Sequence, residues 1–272
     1  MARRKSFYQL LTDAVNYFAE KGFTSQTDMN RWVKVLRDAA DRSLRSPAMT
    51  ERLIRDSLKN VYRKTVVKHG VVRQSKGAVS RFTVDKLKPE LRRDLERRIF
   101  ASTKLIRLNR DESINTILRR FEGWVSSVPT GGSEVVDKRK TKENIVKPLR
   151  QMNFKERRVV IDQTNKFAAA IEDVLALDSD AIAAEWNSIH AAGYNFRRDH
   201  RERDGKVYAI RGCWAMEDGY MKAGNAGYTD DITKPGEEVY CGCSYTYLYS
   251  PAELPANMLT AKGKALVASA KR

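Results

Sequence analysis

Near residue 178 the hydrophobic period of this chain changes, and with it the kind of structure the sequence can build. Before that point apolar residues recur at the spacing of a helix buried on one side. Phe7, Leu10, Leu11, Ala14, Val15 and Phe18 form the first such set, and Gly22 stops it. Thr27 or Asp28 can cap a second helix with Trp32, Val35, Leu36 and Ala39 on one face. Pro47 suits a helix start and is followed by Leu53, Ile54, Leu58, Val61 and Tyr62. Residues 84–107 direct Leu87, Leu91, Leu95, Ile99 and Phe100 to a core. Asp111 can cap a run with Ile114, Ile117, Leu118, Phe121 and Trp124. Val160, Ile161, Thr164, Phe167, Ala168, Ile171 and Leu175 predict a long helix over 154–178. Residues 70–83 mix Gly, Ser and Lys with short apolar runs and read as a loop or small hairpin.

Beyond 178 the composition turns to strands and turns. Residues 186–196 and 207–210 read as strands, and 239–249, with Tyr240, Tyr245, Tyr247 and Tyr249, is the most strand-like run. Gly212, Gly219, Gly224 and Gly227 mark a turn-rich insert. The expected class is α+β: a mostly helical N-terminal part, then a small module of mixed helix and antiparallel strands. The Ser-Ser-Val-Pro-Thr-Gly-Gly-Ser stretch at 126–133 is the clearest loop. The expected organisation is a basic helical domain at 1–130, a linker at 131–152, an α+β module at 153–250 and a basic tail at 251–272.

Charge separates the same regions. Residues 52–110 hold 18 Lys and Arg against 5 Asp and Glu, a net of +13, whereas 195–260 hold 8 against 10. A surplus of that size draws polyanions. On 84–107 the bases Arg92, Arg93, Arg97, Arg98, Lys104 and Arg107 lie on the circumference left by the leucines, suited to phosphates of double-stranded DNA without sequence readout. A solvated face with i,i+4 ion pairs is the plainer reading. No apolar run approaches the ~20 residues that span a bilayer, so no membrane anchor is expected. The basic start lacks the apolar core of a signal peptide, and an odd set of three cysteines suits a reducing compartment.

No cysteine occurs in the first 212 residues, and then Cys213, Cys241 and Cys243 arrive close to His200. Cys-x-Cys on an extended strand presents both sulfurs on one face. Two thiolates and an imidazole give three metal ligands, and Cys213 offers a fourth; zinc takes this set. The alternative is that the cysteines are small buried apolar residues and His200 serves a backbone carbonyl. Arg197, Asp204 and Gly205 read as a turn in which Arg197 and Asp204 pair across the loop, and Pro235-Gly236 forms a second turn. A metal-dependent nuclease would use His200 with an open metal position, though no second base or His-x-x-x-His accompanies it.

Arg197, His200, Asp204 and Gly205, followed by Pro235, Gly236, Glu237, Glu238, Val239, Cys241 and Cys243, resemble the phage Mu F-like head morphogenesis (minor capsid) family of tailed bacteriophages. Val159, Val160, Ile161, Thr164, Asn165 and Ala168 match its preceding helix, and Ala184-Glu185-Trp186-Asn187 its Trp-bearing strand. The resemblance covers about residues 155–248; Gly242 departs from it, where many members have Arg. It implies a structural virion protein, not an enzyme, present in few copies in the head interior or at the portal vertex after assembly in the host cytoplasm. The implied partners are the portal protein, double-stranded DNA and other head or tail proteins, with a role in assembly or genome ejection. Some relatives carry a toxin domain after the Cys-x-Cys, and too few residues follow Cys243 here for one. The rival classes are the nuclease and a stand-alone nucleic-acid-binding protein.

Overall fold

The computed structural model describes residues 5–43, 47–69, 81–189 and 197–270. Its elements in chain order are α1 (Phe7–Lys21), α2 (Gln26–Ser43), α3 (Pro47–Tyr62), a π-helical turn (Arg63–His69), α4 (Arg81–Ser127), α5 (Lys138–Leu177), β1 (Ala183–Asn187), α6 (Arg198–Arg203), β2 (Val207–Ala209), α7 (Trp214–Glu217), β3 (Ser244–Leu248) and α8 (Ala261–Ser269). The α+β class holds. Residues 70–80, the greater part of the expected loop, and 190–196, the greater part of the expected strand at 186–196, lie outside the described residues. No helix among the described residues is long and apolar enough to cross a membrane.

The chain divides into two compact units, residues 1–54 with 100–159, and 55–99 with 160–272. This differs from a division near residue 130, because α4 and α5 each contribute one part to each unit. In the first unit, Phe7, Leu11, Val15 and Phe18 of α1 pack with Leu36, Ile117, Phe121, Ile145, Val146 and Leu149. Ser6 caps α1 through the Gln9 amide in a reciprocal capping box. Arg120 donates to the Asn144 carbonyl, and Arg110 pairs with buried Glu156, so α4 and α5 run antiparallel here.

The expected linker at 131–152 is not one. Residues 138–152 are helical, and Ile145, Val146, Leu149 and Met152 bury the face their spacing defines. The Pro-Thr-Gly-Gly loop before them is fastened to the end of α1: Gly131 donates to Lys21 O and Ser133 to Ala19 O. A Cβ on Gly132 would sit 2.3 Å from Glu20 O, so glycine is there for close backbone approach. The expected tail at 251–272 is also partly built in, with Pro251, Leu254 and Met258 buried.

In the second unit the sheet has order β2-β1-β3, antiparallel throughout. Trp186 faces Tyr245 across the β1–β3 pair, and both are buried. The strand reading of 239–249 holds only for 244–248. Residues 235–243 form turns and irregular backbone, with Gly236 and Tyr240 at positive φ. The α4 stripe Leu87, Leu91, Leu95 and Ile99 is buried as its spacing requires, but Phe100 is 73% exposed, a correction to the expected core face.

Candidate metal centre

The site begins with α6, a helix of only six residues fixed by contacts outside itself. Trp186 of β1 donates through its indole to Ser188 Oγ, and Ser188 Oγ donates to the His200 carbonyl. Asp204 accepts the Ser188 N–H at 2.7 Å, and Gly205, at φ 70°, donates to Trp186 O. These bonds tie both ends of the 188–204 excursion to the end of β1. Arg203 lies over the Trp186 ring, and the ring meets His200 edge-on at 5.2 Å. His200 therefore has its imidazole orientation set by packing.

Opposite it, residues 235–243 pack against α5 and Ile189. The Gly236 N–H donates to Cys241 Sγ, and a Cβ at Gly236 would lie 3.0 Å from that of Ala169. Tyr240 takes a left-handed conformation and donates its N–H to Asp162 on α5. Gly242 leaves room for Ile189, whose tip lies 2.2 Å from where a Cβ would stand. Any side chain there, arginine included, requires Ile189 to move.

These turns bring Cys241 Sγ to 3.7 Å and Cys243 Sγ to 3.5 Å from His200 Nδ1. The three donor atoms lie within 4.8 Å of one another, and all three residues are buried. The group can hold a metal ion. The sulfurs converge without the extended strand expected for them, because the turn at Tyr240 aims the chain instead. Cys213 does not join them. It caps α7, contacts Met221 Sδ at 3.7 Å, and burial pushes its thiol pKa up.

The thiols differ in acidity. The Cys243 thiol hydrogen-bonds Cys241 and, with the Gly236 N–H, lowers the Cys241 pKa against the effect of burial. The same hydrogen bond and burial push Cys243 up. A cation bound to both sulfurs would displace the thiol protons.

The other imidazole nitrogen faces carboxylates. Nε2 lies 3.5 Å from Glu238 and 3.8 Å from Asp199 and makes no hydrogen bond among the described residues. Glu238 is held by Arg197 at 2.9 Å, and Asp199 by Arg203 at 2.9 Å. Arg197 also donates to Val239 O. The expected Arg197–Asp204 pair is thus replaced: Arg197 anchors the 235–243 turn, and Asp204 caps Ser188. Neither Asp199 nor Ser188 stood out in the sequence, since their roles arise from contacts between distant segments.

Beside this region is a cavity of about 340 Å³ whose lining includes Arg97, Lys166, Glu172, Asp173, Lys234 and Tyr245. Lys234 and Tyr247 both bond Asp173, whereas burial alone raises Glu172 to about 7. The bases selected for phosphate contact divide. Arg92, Arg93 and Arg97 are exposed in the second unit, and Lys104 and Arg107 in the first. Arg98 is not available: its side chain is mostly buried, paired with Asp94 and laid over the Phe167 ring. Arg97 shares Asp94 but keeps most of its surface. No family model, curated protein or solved structure matches this chain.

Proposed function

We propose that this chain is a structural head protein of a tailed bacteriophage, similar to the Mu F-like minor capsid family, with a zinc-clasped α+β module. The observation that carries this reading is the meeting of both halves of the resembling motif in one place. Residues 197–205 supply His200, Arg197 and Asp204; residues 235–243 supply Cys241, Cys243 and Glu238. A motif whose parts brace each other across about forty residues behaves as a clasp.

Zinc suits the donors. Tetrahedral zinc with sulfur at ~2.3 Å and nitrogen at ~2.0 Å sets those ligands ~3.5 Å apart. The distances of 3.5 and 3.7 Å lie at and just above that value. Glu238 and Asp199 stand beside Nε2, on the side where a metal-bound histidine carries its outer carboxylates; a shortening of either contact to a hydrogen bond would fix the tautomer that frees Nδ1 for the metal. Three protein ligands leave the fourth tetrahedral position open, and burial of all three restricts the water access that the nuclease reading needs there, which favours the structural one.

In this reading the protein joins the portal vertex or head interior during assembly in the host cytoplasm. The exposed bases Arg92, Arg93 and Arg97 of α4 hold double-stranded DNA without reading sequence, in support of head assembly or genome delivery. Coexpression with the cognate portal protein tests it. A complex should survive size exclusion at low and moderate salt, and separate elution of two folded proteins refutes the portal role. Metal-dependent nicking of a plasmid by the purified chain would favour the nuclease instead.

A further inference from the structure

Between Phe100 and Arg110, helix α4 is inside out. The inward stripe that begins with Leu87, Leu91, Leu95 and Ile99 continues through Ser102, Thr103, Ile106 and Arg110, all buried. Three of those four are polar. The outward face carries the large apolar side chains: Phe100 is 73% exposed, Leu108 56% and Leu105 40%. The facing part of α5 repeats the inversion, with Glu156 buried against Arg110 and Phe154 61% exposed. A lone helix in water favours the opposite arrangement, since each large apolar side chain left exposed forgoes the free energy of its burial.

The bases on this face indicate what covers it. Residues 100–110 contain Lys104, Arg107 and Arg110 and no acid, and Arg110 is consumed by Glu156. Lys104 lies one turn from both Phe100 and Leu108, in the middle of the apolar arc. A second copy of this face would bring like charges together at the centre. A bilayer would have to accept a lysine amid the side chains meant to enter it. Phosphate contact gains nothing from Phe100 and Leu108. A helix with leucines at i, i+3 and i+7 and flanking carboxylates satisfies both the apolar arc and the bases.

We propose that the Phe100–Leu108 face of α4 is a docking surface for an acidic amphipathic helix of another protein. This goes beyond the head-protein reading and is independent of the metal. The probe is a fluorescent designed peptide of about three helical turns or more, leucine on one face and glutamate on the others. Its control has the same composition with the leucine period scrambled. The patterned peptide should bind the full-length protein, and the scrambled one much less. Phe100→Gln with Leu108→Gln should weaken binding on the order of a hundredfold, since each buried apolar side chain is worth about tenfold. The melting temperature and duplex-DNA affinity should not change, because these side chains are exposed. Equal binding of both peptides, or an unaffected double variant, overturns the proposal. So does binding of the face to phosphatidylglycerol vesicles in preference to the peptide. Self-association abolished by the double variant would assign the face to a second copy and equally overturn it.

Discussion

Removal of the proposed zinc should loosen the second unit by an amount the chain topology sets. A bridge from His200 to Cys241 and Cys243 closes loops spanning 41 and 43 residues. Treated as a crosslink of the unfolded chain, closure of a loop of that length contributes about 4 kcal/mol. A domain of this size loses roughly 2–4 °C of melting temperature per kcal/mol, so chelation should lower the melting temperature by roughly 8–16 °C. Calorimetry with zinc or with chelator reads this directly, and elemental analysis should find about one zinc per chain. X-ray absorption should place two sulfurs at ~2.3 Å from the metal. Cys241→Ser and His200→Ala should each bring the melting temperature close to that of the chelated protein. More tellingly, each should abolish the further effect of chelator. Cys213→Ser should leave metal content and chelator response intact, since its sulfur contacts Met221 instead. A protein purified from zinc-supplemented culture that holds no metal and melts identically with chelator would refute the clasp. The cysteines would then be small buried packing residues beside His200.

What the sequence made legible was whatever depends on local periodicity. The buried stripes of α1 and α4 through Ile99 follow from spacing alone, as does the shift to strands after residue 178. The His200, Cys241 and Cys243 cluster was legible because these residue types are scarce and crowded. Contacts between distant segments were not legible. Gly131-Gly132 reads as a linker unless one knows that Glu20 O presses against it. Arg98 counts as a surface base until Asp94 and Phe167 are seen around it. Cys213 counts as a fourth ligand until the turn-rich insert directs it to Met221. Phe100 reads as a core residue because it adjoins Ile99 at the edge of the apolar arc, and nothing local announces that Ser102, Thr103 and Arg110 take the inner face instead. Tertiary geometry decided each of these cases, and three of them bear on partners and ligands.

Two further outcomes test the charge reading and the cavity. Arg92→Gln with Arg93→Gln and Arg97→Gln should weaken duplex binding on any sequence. The slope of log affinity against log salt should flatten by up to about 0.9 for each phosphate that is no longer neutralised. An unchanged slope in a titration across salt would assign those bases to another partner, and Arg98→Gln should instead lower stability, through Asp94 and Phe167. The cavity carboxyl Glu172 ionises near 4.5 when unfolded and near 7 when folded, because burial opposes its charge. The folded state therefore holds the extra proton between these values, so this contribution is fully present below the unfolded pKa and is lost as pH rises through the folded one. At about pH 8 the buried charge costs up to about 3 kcal/mol. Glu172→Gln should thus stabilise the protein to urea by about 1–3 kcal/mol at about pH 8, and far less at about pH 4.5, with a flatter pH dependence between. Equal effects at both pH values would mean that the substitution acts through packing and that the carboxyl does not titrate in that window.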